Sequence, residues 1–214
     1  MEIILYYAPT ACSLVPYVTL TEANAEFKVQ TINLHKGQQN SAEYLKLNPK
    51  HKVPLLLVDG KRLTENVAIQ MWIAHNFPKA SLLPSDAWQE LQAISMLSWV
   101  ASGIHPLLSR INAPPRVCDV PNTSDSVRRL AAAPLLENYH LAEDMLAGRD
   151  YFFDHFTAVD AHFFWCFRRG LQFELDLSKF KNCLKHHELM KSRSSFQKVL
   201  AFEQAVQAEF SKAA

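Results

Sequence analysis

The segment Tyr6–Val18 (YYAPTACSLVPYV) contains a cysteine and a serine at the point where a short apolar run changes to a helix-like pattern. A thiol in the first turn of a helix lies near unpaired backbone N–H groups and the positive end of the helix dipole, and both lower its pKa. Cys12 is therefore a candidate nucleophile, or a candidate hydrogen-bond partner for a second thiol. Ser13 is adjacent and can also donate a hydrogen bond to the sulfur of that second thiol. The alternative is that Cys12 only packs, because free cysteine is among the residue types most often buried.

A second candidate is His105, which lies in the apolar segment SWVASGIHPLL. Histidine titrates near neutral pH, but a lone histidine on an apolar helix face is more often a core residue with one partner on each ring nitrogen. The other eight histidines lack the i,i+4 pairing with a carboxylate or a cysteine that indicates a metal site. The sequence therefore predicts no metal ion.

Composition and charge limit the class of protein. The chain is 49% hydrophobic and 20% charged, which is typical of a globular protein, and its net charge of +1 leaves no basic surface for nucleic acid or an acidic membrane. The four cysteines have neither disulfide-scaffold nor zinc-ligand spacing, so we expect free thiols in a reducing compartment. The N-terminus lacks the features of a signal peptide, and no run approaches 18 uninterrupted apolar residues. A cytoplasmic protein without a membrane partner is predicted.

The elements that must position Cys12 lie in the first eighty residues, where strand-like and helix-like segments alternate. Asp59-Gly60 is a strong two-residue turn signal that predicts an antiparallel hairpin on either side of it. The predicted elements, in order, are a strand at 2–7, a helix at 13–24, a strand at 27–33, a short helix in AEYLKLNP, strands at 53–58 and 61–64, and a helix at 65–76. This order, βαβαββα, predicts a small mixed sheet with helices packed on it.

The remainder of the chain has helical periodicity almost throughout. We predict helices near 87–110, 126–147, 158–170, 178–188 and 195–210. A linker bracketed by Pro78 and Pro84 then separates two domains, an α/β domain at 1–78 and an all-α domain at 86–214.

Three features of the first domain are more specific together than alone. They are the strand followed by Cys12, the Lys52-Val53-Pro54 segment that opens a strand, and the LTENVAI segment that opens a helix. This combination resembles the thioredoxin-like domain of a glutathione transferase. The helical half resembles the same family in Trp99…His105, in DHFTAVDA and in FQKVL, so the resemblance covers essentially the whole chain. The run YYxPxxCS resembles the bacterial beta class.

The resemblance implies how glutathione would bind, and that the protein is a homodimer. In the family the Val53-Pro54 bond is cis, and the backbone of Val53 pairs with the cysteinyl unit of glutathione like an added strand. Glu65 would receive the ammonium group of the γ-glutamyl unit. The backbone N–H and side-chain amide of Asn66 would donate to its carboxylate. Many relatives have serine or glycine at the position of Asn66. For the isolated residues, a strand-entry proline and a polar helix cap are the alternative interpretations.

Two lysines are candidates for binding the glycine carboxylate of glutathione. Lys36 lies in a polar loop and Lys52 directly precedes Val53. The alternative is that both are solvated surface charges, as most lysines are.

The resemblance also places a pocket for a hydrophobic electrophile between the domains, lined by the helix after Trp99 and by residues 163–169. The histidine of beta-class relatives that corresponds to His105 lies across the domain cleft from the cysteine, where it can assist a thiolate. Two departures affect the pocket. Arg169 stands where relatives often have tryptophan, and Pro106 is able to bend the helix.

The segment Thr157–Asp160 fits the pattern of a helix-capping box, so we assign these two residues a structural role and exclude them from the site. Phe153 stands where relatives often have glycine.

Three functions remain open. The first is conjugation of the glutathione thiolate, stabilised by Cys12, to a small hydrophobic electrophile, with glutathione as cosubstrate. The second is glutathione-dependent disulfide or peroxide reduction through Cys12, although a thioredoxin-type cycle is disfavoured because no second cysteine follows three positions later. The third is a non-catalytic glutathione-binding regulator.

Overall fold

The computed structural model describes residues 1–212 of the 214-residue chain. These residues form two compact units. The first comprises residues 1–83 together with the described part of the segment that begins at Lys191, and the second is Pro84–Met190. The sequence-based division placed the C-terminal segment with the helical domain. Its contacts group it with the α/β unit instead.

Four strands form the sheet of the first unit: β1 (Ile3–Tyr7), β2 (Lys28–Thr31), β3 (Leu55–Val58) and β4 (Lys61–Thr64). The strand order is β2-β1-β3-β4, with β1 parallel to β2 and antiparallel to β3. The predicted hairpin joins β3 to β4, with Leu56 opposite Leu63. Asp59 and Gly60 form its turn with positive φ angles of 46° and 77°, which suit a tight two-residue connection.

Nine α-helices lie within residues 1–212. In chain order they are α1 (Leu14–Glu22), α2 (Ala42–Leu47), α3 (Asn66–Asn76), α4 (Ala87–Trp99), α5 (His105–Asn112), α6 (Ser124–Met145), α7 (Ala158–Gln172), α8 (Lys181–Ser192) and α9 (Ser194–Lys212). The order β1-α1-β2-α2-β3-β4-α3 in the first unit, followed by helices, confirms the predicted fold class.

Helix α9 packs on the α/β unit through an aromatic cluster and an ion pair. The ring centroid of Phe202 lies 5.6 Å from that of Tyr7 and 5.3 Å from that of Tyr17. The guanidinium of Arg193 donates two hydrogen bonds of 2.9 Å to the carboxylate of Glu22, at the end of α1. These contacts join the last helix of the chain to the first.

In the second unit, a single π-helical turn, Val100–Ile104, connects α4 to α5, where the sequence predicts one uninterrupted helix. The indole N–H of Trp99 donates to Asn138 Oδ1 of α6 at 2.6 Å, directly before this turn. A Cβ atom at Gly103 would lie 3.0 Å from Trp99 Cδ1, so the close packing of the turn on the indole favours glycine. The π-helical turn ends where α5 begins, at His105.

The continuous helical run at 87–112 is long and apolar enough, by length and composition alone, to cross a membrane. Of the most apolar 18-residue stretch in this run, 33% is buried. The core helix of a soluble protein meets the same criteria of length and composition. This property therefore assigns no location to the protein.

A distant carboxylate fixes the start of α8. The backbone N–H groups of Asn182 and Cys183 each donate to the carboxylate of Glu143 on α6, at 2.9 Å. The helix therefore begins at Lys181 and runs to Ser192, later than the predicted 178–188. Local sequence does not reveal a cap supplied from 39 residues away.

The predicted capping box at the start of α7 is present. Asp160 is fully buried and accepts hydrogen bonds from the backbone N–H and hydroxyl of Thr157 and from the N–H of Phe152. A ring nitrogen of His186 lies 3.0 Å from the same carboxylate. These contacts support the structural role assigned to Thr157 and Asp160.

Candidate functional site

Cys12 lies in the turn between β1 and α1, two residues before the helix begins. Only 9% of its surface is exposed, and its thiol donates to the backbone oxygen of Val53 at 3.5 Å. The Val53-Pro54 peptide bond is cis, as the resemblance implies. The structure thus brings together the cysteine and the main-chain segment that the sequence analysis assigned to one site.

The ionisation of Cys12 differs from the expectation. Burial raises the pKa of the Cys12 thiol to about 12, and the negative charge of Glu65 raises it further. Hydrogen bonding, together with the positive charge of Lys52, opposes this effect only in part. The expected lowering of the pKa at a helix terminus is wrong for this structure, because loss of solvation outweighs the helix end. Cys12 is a neutral thiol at physiological pH.

Asn66, the first residue of α3, links the helix to the cysteine turn. Its side-chain amide donates to the backbone oxygen of Cys12 at 3.1 Å, and only 8% of the residue is exposed. Its Oδ1 atom has no hydrogen-bond partner among the residues that the structure describes. The backbone N–H groups of the first helical turn have no intrahelical acceptor and can bind an anion. Asn66 therefore holds the turn in place and offers a main-chain donor.

Glu65 precedes α3 with φ 71° and ψ 124°, a conformation that is strained for a residue with a side chain. Its carboxylate is mostly exposed and accepts a hydrogen bond of 2.6 Å from the ammonium of Lys50, which also donates to the hydroxyl of Thr64. Sequence reasoning missed Lys50. The one feature of the sequence that pointed to Lys50 was its position in the basic segment Lys50-His51-Lys52.

Two buried donors fix the main chain that leads to Val53. The hydroxyl of Tyr44 and the amide of Asn48 donate to the backbone oxygen of Lys52, at 2.6 and 2.8 Å. The Lys52 side chain is exposed, and its charge acts on the Cys12 thiol. Lys36 is exposed on the turn after β2 and is not among the groups that shift the Cys12 pKa.

Ser13 is fully buried and is committed to the turn that carries Cys12. Its hydroxyl oxygen accepts from the backbone N–H of Ala8 at 3.0 Å and donates its proton to the Ala8 carbonyl at 3.2 Å. These contacts hold the turn that carries Cys12, and the catalytic role of Ser13 stays a prediction.

A buried carboxylate on α9 also contacts the cysteine turn, and sequence reasoning missed it. Glu203 is 1% exposed and accepts from the backbone N–H of Thr10 at 2.6 Å and from the hydroxyl of Tyr7 at 3.2 Å. The sequence contains a signal for it. Glu203 shares the buried stripe of α9 with the apolar residues Phe196, Val199 and Val206.

His105 belongs to the second unit, where its ring packs edge-on against that of Trp165 at 4.5 Å. His162 on α7 also contacts Trp165 and is fully buried. Burial, together with the nearby His105, lowers the pKa of His162 to about 3. Sequence reasoning missed this second histidine.

The predicted apolar wall at 163–169 is mainly core, since residues from Phe163 to Phe167 are all buried. Arg169 lies over the ring of Phe173 at 4.4 Å and donates to the side chains of Asn112 and Gln172. Within the described residues, no group of three or more His, Cys, Asp or Glu side chains is arranged to hold a metal ion. All four cysteines are free thiols, as expected.

Comparisons with known proteins agree with this geometry. The sequence model of the family described as "Glutathione S-transferase, N-terminal domain" matches residues 1–75. Glutathione S-transferase GstA of Escherichia coli O157:H7 is 29% identical over 203 residues, which cover 93% of this chain and 98% of GstA. A beta class glutathione S-transferase of Sphingomonas chungbukensis has a similar structure, with a TM-score of 0.82 and 27% identity over 95% of this chain and 98% of its own. A sphingomonad glutathione S-transferase complexed with glutathione has a TM-score of 0.82 and 26% identity, covering 95% and 99%.

Proposed function

Because the chain belongs to the glutathione S-transferase family, we propose that it binds glutathione beside Cys12 and adds the glutathione thiolate to a small hydrophobic electrophile. The observation that carries this proposal is the meeting of three groups: the Cys12 thiol, the Val53 carbonyl and the Asn66 amide. They provide a thiol donor, a main-chain edge that pairs with no other strand in the described part of the chain, and a helix terminus at one place.

The main chain of Val53 suits the cysteinyl unit of the tripeptide. Within residues 1–212 the N–H of Val53 has no hydrogen-bond acceptor, and its carbonyl accepts only from Cys12. A peptide that pairs with both groups extends the sheet edge by one residue. Its thiol then lies beside Cys12.

The two ends of glutathione suit the charges on either side. The main-chain N–H groups at the start of α3 are donors for the γ-glutamyl carboxylate, and Glu65 is an acceptor for its ammonium. That ammonium competes with Lys50, which now contacts Glu65 at 2.6 Å. Lys52 binds the glycine carboxylate, whereas the role of Lys36 in binding this group stays a prediction.

The raised pKa of Cys12 favours conjugation over reduction through this residue. A neutral thiol donates a hydrogen bond to the glutathione thiolate and so lowers the pKa of the bound glutathione. The thiol of glutathione releases its proton to solvent, and the thiolate then forms a carbon–sulfur bond with the electrophile, whose leaving group departs with the electron pair of the broken bond. A Cys12 nucleophile would require a thiolate that burial disfavours.

Two substitutions of Cys12 distinguish these reactions. Cys12→Ser keeps a buried donor without sulfur, and Cys12→Ala removes the donor. For conjugation of a chloronitroaromatic, we expect Cys12→Ser to retain most of the rate and Cys12→Ala to lose about tenfold, the size of one hydrogen bond to a charged group. Reduction through the sulfur would instead be abolished equally by both. A wild-type protein without turnover of several electrophiles would contradict the proposed function.

His105 stays a prediction as a catalytic residue. We expect His105→Phe, which keeps a ring against Trp165, to lower the turnover number without changing the affinity for glutathione. Equal effects on both would indicate a structural role.

We also propose a homodimer in the cytoplasm. Large apolar side chains are exposed on α4 and α6, namely Trp88 at 69%, Leu91 at 58%, Leu141 at 52% and Met145 at 43%. Exposed apolar side chains on two helices of one unit, α4 and α6, favour association with a second copy of this chain. We expect Trp88→Glu to convert a dimer to a monomer in sedimentation experiments. A monomeric wild-type protein at micromolar concentration would contradict the dimer.

A further inference from the structure

Helix α3 contains a buried amide that the proposed site does not use. Gln70 is fully buried, and neither of its amide atoms has a hydrogen-bond partner among the residues that the structure describes. Buried polar side chains are rarely left in this state, because they lose hydration without compensation. The oxygen of Asn66, four residues earlier, is in the same condition.

The unsatisfied groups of these two residues are complementary. Gln70 has two N–H donors on Nε2, whereas Asn66 Oδ1 is an acceptor. Residues four apart on a helix share one face, with Cβ atoms about 5–6 Å apart, a separation that two amide side chains can span with a hydrogen bond. The hydroxyl of Ser13, the residue that follows Cys12 in the chain, is already committed to Ala8 and supplies no alternative donor.

The orientation of the Asn66 amide matters to the cysteine turn. Its nitrogen faces the Cys12 carbonyl at 3.1 Å, and the opposite orientation would place two acceptor oxygens against each other. A donor on the oxygen side selects the orientation that holds Cys12. Gln70 is the buried donor positioned one helical turn away to supply it.

We propose that Gln70 is a positioning residue that donates from Nε2 to Asn66 Oδ1 and thereby holds Asn66 against the main chain of Cys12. Gln70 does not touch the ligand. Its effect on glutathione binding rests on the proposed function. The energetic coupling between Gln70 and Asn66 is a property of the protein without ligand, so it does not depend on the proposed function.

The test is a double-mutant cycle with Gln70→Met, an apolar side chain of similar length, and Asn66→Ala. We expect Gln70→Met to weaken glutathione binding about fivefold by calorimetry, the size of one net hydrogen bond. In the Asn66→Ala background the same change should have no further effect. The matched control is Ile73→Val, a buried change on the same helix without an amide, which should leave the dissociation constant unchanged. Gln70→Leu serves as a second apolar variant if Gln70→Met does not fold.

Denaturant unfolding of the wild type, Gln70→Met, Asn66→Ala and the double variant measures the Asn66–Gln70 coupling without any ligand. Non-additive changes in the unfolding midpoint support the proposal. Independent effects of the two substitutions would overturn it, as would a Gln70→Met protein that is more stable and binds glutathione like the wild type. If the wild type binds no glutathione, the proposed function fails while the unfolding cycle still decides the role of Gln70.

Discussion

The carboxylate of Glu203 accepts a hydrogen bond of 2.6 Å from the backbone N–H of Thr10, two residues before Cys12 and 193 residues away along the chain. The same carboxylate accepts the hydroxyl of Tyr7 at the end of β1. Thr10 has a φ of 62°, in the left-handed region that a threonine rarely adopts. The last helix of the chain therefore stabilises an unfavourable turn conformation next to the proposed thiol site.

Removal of this carboxylate should destabilise the α/β unit. Glu203→Leu removes the carboxylate that accepts from the N–H of Thr10 and from the hydroxyl of Tyr7, so we expect a loss of about 2–4 kcal/mol in the free energy of unfolding in urea. Glu203→Gln keeps one oxygen and should lose less. The control is Glu209→Gln on the exposed face of the same helix, which should change stability by less than about 0.5 kcal/mol. Equal stability of the Glu203 and Glu209 variants would contradict this role.

Much of the fold was predictable because its signals are local. The Asp59-Gly60 turn, the alternation of the strands and the capping box of Thr157 each depend on residues within one element and its neighbours. The hydrogen bond between the Thr10 N–H and the Glu203 carboxylate was not predictable in this way, because it joins two residues that lie 193 positions apart in the sequence. The apolar stripe of α9 shows that Glu203 is buried, but not which group it meets.

The site was predictable in its main-chain parts and less so in its electrostatics. The structure brings Cys12, Val53 and Asn66 together, and their roles in binding glutathione stay predictions. The ionisation of Cys12 was not predictable, because a helix terminus lowers a thiol pKa only where solvation is retained, and the sequence does not report burial. Lys50 was missed because its ion pair depends on how the segment before Val53 folds against Glu65.

Thiol labelling should separate the cysteines by ionisation and exposure. Cys12 is buried with a pKa of about 12, whereas Cys118 is half-exposed and hydrogen bonds, chiefly from Thr123, lower its pKa. We expect iodoacetamide at pH 7.5 to modify Cys118 first and Cys12 much more slowly, because the thiolate is the reactive form. Peptide mapping by mass spectrometry measures the order. Faster labelling of Cys12, in the wild type or in Cys118→Ser, would show that its thiol is ionised.

His162 should make the protein less stable in mild acid. Its pKa is about 3 when folded and about 6.5 in an unfolded chain, so the unfolded state binds more protons below pH 6.5. Stability should therefore fall as the pH decreases from 6.5 towards 3, by up to about 1.4 kcal/mol per pH unit from this group.

The variant that tests this slope is His162→Phe, which keeps a ring beside Trp165. Its urea midpoint should depend less on pH between 6.5 and 4.5 than that of the wild type. His35→Asn, at an exposed position, should leave the slope unchanged. Parallel pH profiles for the wild type and His162→Phe would contradict the burial of a neutral imidazole.

The most direct test of the central claim is an ultraviolet titration of the thiol of glutathione bound to the reduced protein. The account predicts that the bound thiol ionises at least about one pH unit below a free thiol, whose pKa is about 8.5. It also predicts that Cys12→Ala abolishes most of this shift and that Cys12→Ser preserves it. A bound glutathione that titrates like the free tripeptide, or an equal shift in Cys12→Ala, would contradict the account.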